Sequence, residues 1–314
     1  MRPIGWRPSA LALVLCAWLP CACSTVSSPE PAAGPPHSPA AASRPAAPRV
    51  SATAAGTSLA GRPAPGGSAA SPPALPAAAD GGPARFPPTA AGVLGGKVVA
   101  VDPGHNGGNF AAASVINRLI WNGRETEACD TTGAQTDGGY TEAQFNWNVA
   151  RYLTADLRAE GATVVLTRTS DTGVGPCVTE RAAIGNAVHA NGAISIHADG
   201  GPPGGRGFAI LEPVADGPND AIIGPSVTLG ADLRAAFASG TGEPISTYDG
   251  IDGIQPRDDL AGINLSRVPK VFIECANMRN AVDATLVTSA RWQARAARAI
   301  AVGLTAFLTG TGGP

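Results

Sequence analysis

Apolar residues between positions 97 and 308 follow two patterns: short continuous runs, and longer runs in which they recur every three or four residues. Continuous runs are typical of strands buried on both faces, whereas the longer period is typical of amphipathic helices. The continuous runs predict strands at 97–101, 162–168, 193–199, 207–213 and 269–277. The periodic runs predict helices at 142–160, 178–190, 220–238 and 281–308.

Strands and helices that alternate in this way predict an α/β fold. We expect a mostly parallel, twisted sheet of about six strands, with helices on both faces. Residues 106–140 show no strong period, and we expect an inserted loop with some local structure there. Ligands of open parallel sheets gather at the carboxyl ends of the strands. Four candidate side chains fall at this edge: His105, Glu142, His197 and Glu274.

Two histidines and a glutamate are the usual protein ligands of a catalytic zinc ion, which keeps a further position open for water. The remaining carboxylate can then move the proton of that water. A single histidine at a strand end is more often a hydrogen-bonded structural residue than a ligand. The residues alone are therefore compatible with two interpretations, a metal site and a structural polar cluster.

The first 91 residues differ from the rest of the chain. Residues 1–23 place two arginines before a short apolar run, which is typical of a secretory signal peptide and too short for a membrane-spanning helix. Residues 24–91 are rich in Ala, Pro, Gly and Ser and hold more than half of the 29 prolines. Such a segment buries too little apolar surface to fold, so we expect a disordered linker. The folded catalytic domain is then expected at 92–314.

The cysteines agree with export. Cys23 follows a small residue, Ala22, and precedes the polar linker, so it is a candidate for lipid attachment; cleavage and secretion without a lipid is the alternative. In an oxidising compartment we expect Cys129 and Cys177 to form a disulfide, with Cys275 left as a buried thiol. Two unpaired thiols are the alternative. No cysteine pair has the spacing of a zinc ribbon.

The charges of the chain are few and scattered. The net charge is −2 and the isoelectric point is near 6.1. Nucleic-acid binding requires a concentration of basic residues that this sequence lacks. We therefore expect no nucleic-acid partner.

Four segments carry the candidate residues: "VVAVDPGH", "TEAQFNWNVARYLTADLRAEGATVVLTR", "ERAAIGNAVHANGAISIHAD" and "VPKVFIECANMRN". In this order they resemble the zinc-dependent N-acetylmuramoyl-L-alanine amidases, bacterial enzymes of peptidoglycan remodelling. The resemblance covers residues 97–307 and is nearest to the compact actinobacterial form with a single catalytic domain. It implies that His105, Glu142 and His197 hold one zinc ion per domain and that Glu274 is the catalytic carboxylate.

The implied reaction is hydrolysis of the amide between the lactyl group of N-acetylmuramic acid and L-alanine, during wall remodelling or division. We expect a monomer that acts on peptidoglycan muropeptides outside the cytoplasmic membrane, secreted or in the periplasmic or cell-wall space, or tethered to the membrane through Cys23. The sequence identifies no protein activator. Two alternatives stay open: a catalytically silent wall-binding or regulatory domain, and a zinc carboxypeptidase that acts on the stem peptide.

Five further residues are secondary candidates. Arg257 is expected either to contact a stem-peptide carboxylate or to belong to a solvated charged run, and Asn277 either to contact substrate or to form a turn. Asp102 either orients a ligand histidine through hydrogen bonds or only forms the turn before it. For Arg181 we favour a structural salt bridge. Gly107 is expected to line a groove for a sugar-peptide strand.

Overall fold

The structure is a computed structural model and describes residues 71–75 and 82–312. The predicted signal peptide, including Cys23, and most of the predicted linker lie outside these residues. Within the described ranges, no helix is both long and apolar enough to cross a membrane.

Nine strands and seven helices form from the described residues. The strands are β1 Ala84–Phe86, β2 Val98–Pro103, β3 Leu119–Trp121, β4 Thr126–Ala128, β5 Thr163–Leu166, β6 Gly192–Asp199, β7 Ala209–Pro213, β8 Ile254–Arg257 and β9 Lys270–Asn277. The helices are α1 Ala113–Ile116, α2 Glu142–Ala159, α3 Val178–Ala187, α4 Ile223–Thr241, α5 Ala261–Asn264, α6 Ala281–Val287 and α7 Ala290–Thr309.

The main sheet of the described residues has seven strands in the order β1-β5-β2-β6-β9-β7-β8. The central strands β5, β2, β6 and β9 run parallel, and β8 runs parallel to β7. Only the β1–β5 and β7–β9 pairings are antiparallel. The predicted α/β fold with a mostly parallel sheet is confirmed.

Both edge strands of the main sheet differ from the prediction. Strand β1 lies within the segment predicted as linker, yet its Phe86 is only 4% exposed and packs into the main core. Strand β8 consists of Ile-Gln-Pro-Arg and has no apolar run that could have signalled it. Its proline is compatible with an edge position, because an edge strand does not need every backbone N–H for pairing.

Side-chain caps determine where two of the helices begin. Thr141 Oγ1 accepts a hydrogen bond from the backbone N–H of Gln144, so α2 begins at Glu142 as predicted. The single helix predicted at 281–308 is wrong, because the chain forms α6 and α7 instead. Ser289 interrupts the helix: its hydroxyl accepts from the backbone N–H of Trp292 and starts α7.

Alternate residues of the central strands face opposite sides of the sheet. One side packs against α2, α4 and α7 and forms the main apolar core, with residues such as Val101, Ile196 and Ile273. The other side is covered by α3 and α5 and contains two smaller apolar clusters. This second side carries the polar strand residues: Asp102, Ser195, His197, Lys270 and Glu274.

The predicted loop at 106–140 contains local structure, as expected. It holds a 3₁₀ turn, the short helix α1, and the β3–β4 hairpin. Its last part is joined to the start of α3 by a Cys129–Cys177 disulfide. The backbone N–H of Val178 also donates to the carbonyl of Cys129 over 2.8 Å. The insertion is therefore anchored to the start of α3.

Candidate active site

Three predicted ligand residues converge at the carboxyl edge of the sheet. His105 follows β2, Glu142 begins α2 and His197 lies near the end of β6. Glu142 Oε1 is 3.2 Å from His105 Nε2 and 2.9 Å from His197 Nδ1. One ligand atom from each residue can be chosen so that all three lie within 4.8 Å of one another. The cluster is therefore compact enough to hold a single metal ion.

Glycines make room for the two imidazole rings. A Cβ on Gly104 would lie 2.1 Å from His197 Cε1, and one on Gly133 would lie 2.6 Å from His105 Cδ2. His105 itself has a φ of 56°, in the left-handed region that is uncommon for residues other than glycine. A backbone in this region persists only when its surroundings hold it, so the turn after β2 is structurally constrained.

Glu274 stands beside the three-residue cluster. Its position on β9 is paired in register with His197 on β6, and its side chain lines the same cleft of about 280 Å³. Its Oε2 atom is buried without a hydrogen-bond partner among the described residues. Burial, together with the nearby carboxylates of Glu142 and Asp199, raises the pKa of Glu274 well above its ordinary value. This carboxyl group is suited to binding and releasing a proton.

The electrostatics of the cluster favour a cation. Burial alone would raise the pKa of Glu142, but His105 and His197 hold that pKa well below its usual range. Burial also opposes the charged form of His105, yet Glu142 and Asp130 raise its pKa to about 10. The pKa of His197 is lowered, chiefly by burial. The negative charge around His105 is thus large enough to retain a proton on it, and a divalent cation would neutralise this charge more fully.

The chemistry of the donors fits zinc. Imidazole nitrogens and a carboxylate oxygen are common ligands of Zn²⁺, and three protein ligands are typical of its catalytic sites. Glu274, whose Oε2 has no hydrogen-bond partner among the described residues, lines the same cleft. His105, Glu142 and His197 therefore form a group that could hold a catalytic metal ion.

A family model described as N-acetylmuramoyl-L-alanine amidase matches residues 99–306, which include all four of these residues. The chain belongs to the N-acetylmuramoyl-L-alanine amidase family.

Individual members of the amidase family agree with this assignment. The chain is 40% identical over 221 residues to an N-acetylmuramoyl-L-alanine amidase of Mycobacterium tuberculosis, and the match covers 70% of this chain and 89% of the relative. The crystal structure of Ami1 from Mycobacterium smegmatis is similar, with 42% identity, a TM-score of 0.65 and coverage of 70% of this chain and 99% of that one. The crystal structure of Ami1 from Mycobacterium abscessus has 39% identity and a TM-score of 0.65, and the match covers 68% of this chain and 99% of that one. The family resemblance of the four segments is confirmed.

Of the secondary candidates, Arg257 lines the cleft and Asn277 does not. Arg257 lines the cleft with Glu274, but its Nε and Nη2 each donate to a carboxylate oxygen of Asp259 over 2.7 Å. Asn277 is fully buried, and its amide donates to the carbonyls of Pro202 and Gly205, so it holds a loop and does not face the cleft. The substrate contact considered for Asn277 therefore has no support in the structure.

Gly107 packs closely against a neighbouring loop. A Cβ at this position would lie 2.1 Å from the backbone oxygen of Asp171. The glycine is required by close packing between two loops, and the expectation that it lines a substrate groove stays a prediction.

Arg181 and Asp102 are both buried in the second side of the sheet. Arg181 Nη1 lies 3.1 Å from Asp102 Oδ1, and Arg181 Nη2 lies 3.1 Å from Asp130 Oδ2. The structural salt bridge favoured for Arg181 is present. Ser195 and Lys270 also contact Asp102, and the apolar patterns did not single them out. The signal for Ser195 was its position two residues before His197, which places both on one side of the strand.

The cleft at His105, Glu142 and His197 shares lining residues with two neighbouring clefts. The first has a volume of about 190 Å³ and is lined by Tyr248 and Asp249, with Arg257 and Glu274 lining both clefts. The second has a volume of about 600 Å³ and shares Gly133. The candidate site therefore lies within an extended groove.

Proposed function

We propose that this chain is a zinc-dependent amidase that hydrolyses the bond between N-acetylmuramic acid and L-alanine in peptidoglycan. The observation that carries the proposal is the convergence of His105, Glu142 and His197 on one point, with Glu274 beside them, in a chain of the amidase family. The relatives named above supply the reaction, and the local geometry supports the chemistry.

The three clustered residues would hold the metal through His105 Nε2, His197 Nδ1 and the Glu142 carboxylate. When bound, zinc supplies Lewis acidity, which activates water and polarises the amide carbonyl. Glu274 accepts the proton of the attacking water and delivers it to the amide nitrogen that leaves. The buried, unpartnered Oε2 of Glu274 is the atom available for this transfer.

The extended groove supports a substrate larger than a single amide. A muropeptide has a sugar on one side of the scissile bond and a peptide on the other, and the cleft at the cluster adjoins two further clefts that could receive them. We assign Arg257 to the peptide side. Its guanidinium is part of the cleft wall, and a stem-peptide carboxylate would there share it with Asp259.

Action on peptidoglycan requires export, and the proposal therefore includes it. The sequence of residues 1–23 is typical of an export signal, and the Cys129–Cys177 disulfide is compatible with an oxidising compartment. We propose that the chain acts as a monomer in wall remodelling outside the cytoplasmic membrane.

The test is to incubate the purified protein with defined muropeptides and to identify the products by mass spectrometry. The proposal predicts release of intact stem peptides. A chelator should abolish the reaction and added Zn²⁺ should restore it. The isosteric variant Glu274→Gln should be inactive while it still binds zinc.

Other products would change the assignment. A shortened stem peptide that remains attached to the sugar would show a carboxypeptidase. Zinc binding together with retention on cell walls, but without turnover by the wild-type protein, would show a silent binding domain. Turnover that survives complete removal of metal would reject the zinc mechanism.

A further inference from the structure

Each histidine of the cluster contacts a polar group through the ring nitrogen that does not face Glu142. His197 Nε2 lies 3.1 Å from Ser195 Oγ, which in turn lies 3.1 Å from Asp102 Oδ2. His105 Nδ1 lies 3.2 Å from Thr131 Oγ1 and 3.3 Å from the carbonyl oxygen of Thr131. The contact with a neighbouring polar group is thus made by Nε2 in His197 and by Nδ1 in His105.

The hydrogen bonds of Ser195 constrain His197. Asp102 is ionised, because it is buried against the cations Arg181 and Lys270, and its oxygens can only accept. Ser195 has one hydroxyl hydrogen, which it donates to Asp102. The serine oxygen is then left to accept a hydrogen bond from Nε2–H of His197. The lone pair of His197 therefore resides on Nδ1, the atom that faces Glu142.

The surroundings of His105 select the opposite nitrogen. Its Nδ1 faces the carbonyl oxygen of Thr131 and, at 3.4 Å, the Oδ1 atom of Asp130. Both groups are acceptors, so Nδ1 carries a hydrogen. In the neutral form of His105 that can bind a metal, the lone pair therefore resides on Nε2, which lies 3.2 Å from Glu142 Oε1.

Arg181 connects the hydrogen-bonded surroundings of His197 with those of His105. Besides its ion pairs with Asp102 and Asp130, it donates to the carbonyl of Pro103 over 2.7 Å and to that of His105 over 2.9 Å. The same guanidinium therefore holds both carboxylates and the left-handed backbone of His105. Arg181 is buried, which limits competition from water for these bonds.

We infer that Asp102 with Ser195, and Asp130 with Thr131, are positioning residues that fix the two histidines in opposite tautomers. His197 offers Nδ1 and His105 offers Nε2 to the same cation, and Arg181 holds the two positioning pairs in register. This inference rests on the metal-binding role proposed for His105, Glu142 and His197. It adds a reason why two histidines in different backbone settings can bind one ion.

The first test compares the zinc affinity of Ser195→Ala with that of a matched control, Thr167→Val. Both changes remove one hydroxyl that donates to Asp102, but the Thr167 hydroxyl bonds Oδ1 and has no contact with either histidine. Competition titration against a chromophoric chelator gives the affinities. We expect Ser195→Ala to bind zinc about 10- to 100-fold more weakly, which is typical of losing a partner of a ligand histidine. Thr167→Val should stay close to the wild type.

Two outcomes of this titration would overturn the inference. One is unchanged zinc affinity in Ser195→Ala. The other is an equal loss in both variants, which would mean that Asp102 acts only by holding the fold together. A wild-type protein that binds no zinc at all would instead reject the proposed function.

The second test needs no substitution. In the wild-type protein labelled with ¹⁵N-histidine and loaded with zinc, nitrogen chemical shifts distinguish the bound nitrogen of each ring from the protonated one. We expect Nδ1 to be bound in His197 and Nε2 in His105. Binding through the same type of nitrogen in both rings would overturn the inference, whatever the activity.

Discussion

His197 on β6 and Glu274 on β9 occupy register-paired positions on neighbouring parallel strands. Their side chains share one side of the sheet and one cleft. A shift of the register by one residue would turn one of them to the opposite side. The sheet itself, and not a loop, therefore sets the distance between the candidate proton carrier and a candidate metal ligand.

Replacement of Glu274 by Gln should separate catalysis from metal binding. We expect muropeptide turnover to fall by about 10²- to 10⁴-fold, because the amide cannot accept the proton of water. Zinc content should not change. Glu212→Gln is a matched control, since Glu212 is also a buried carboxyl with a raised pKa but does not line the cleft. Full turnover in Glu274→Gln would contradict the assigned role.

Gly104→Ala should displace the ring of His197. The new Cβ would lie 2.1 Å from His197 Cε1, so the ring must move away from its position against Glu142. We expect weaker zinc binding and a loss of about 1–3 kcal/mol in the free energy of unfolding, as for other overpacked sites. Gly204→Ala should have neither effect, because a Cβ there meets nothing within 4 Å. Calorimetry and zinc titration of both variants check this.

Reduction of the disulfide should destabilise the domain. The bridge joins residues separated by 48 positions, for which the chain-entropy model gives about 4 kcal/mol. We expect the wild type to unfold at a lower denaturant concentration when a thiol reductant is present. The double variant Cys129→Ser/Cys177→Ser should unfold at that lower concentration with or without the reductant. A reductant effect of equal size in the double variant would mean that the bridge is not its origin.

Glu212 should make stability depend on pH. Helix α4 covers it closely, since a Cβ on Gly230 would lie 2.2 Å from Glu212 Oε1. Burial raises the pKa of Glu212 from 4.5 to about 7, so the folded chain holds its proton more tightly than the unfolded chain does. The free energy of unfolding contributed by this group is therefore lost as the pH rises from about 4.5 through about 7.

Denaturation curves at about pH 5 and about pH 8 test this contribution. Between these values the wild type should lose more stability than Glu212→Gln, which has no titrating group at that position. Each unit of pKa shift corresponds to about 1.4 kcal/mol, so the difference should be measurable. Equal losses in the two proteins would show that Glu212 titrates normally.

The central strands and the four main site residues could be predicted from the sequence, because continuous apolar runs mark buried strands and parallel sheets bring their carboxyl ends together. Strand β8 could not, since an edge strand with a proline has no such run. The break before α7 depends on one cap, Ser289, within an otherwise periodic stretch.

The buried polar partners were harder to predict than the ligands. Asp102 was a candidate only because it precedes His105, and Lys270 was counted as part of an apolar strand. Their pairing over 2.9 Å joins residues 168 positions apart on strands separated by β6. Such a contact depends on which side chains share a side of the sheet, and strand order is not visible in a single sequence.

The disulfide has a practical consequence for preparing the protein. Asp130 directly follows Cys129, so the bridge anchors the carboxylate that faces His105. In a chain produced under reducing conditions, this anchor is absent, and the ion pairs with Arg181 and His105 are left to hold that carboxylate. Samples intended for zinc titration should therefore be produced in an oxidising compartment and checked for free thiols after unfolding. Among the cysteines of the described residues, Cys275 alone should then react.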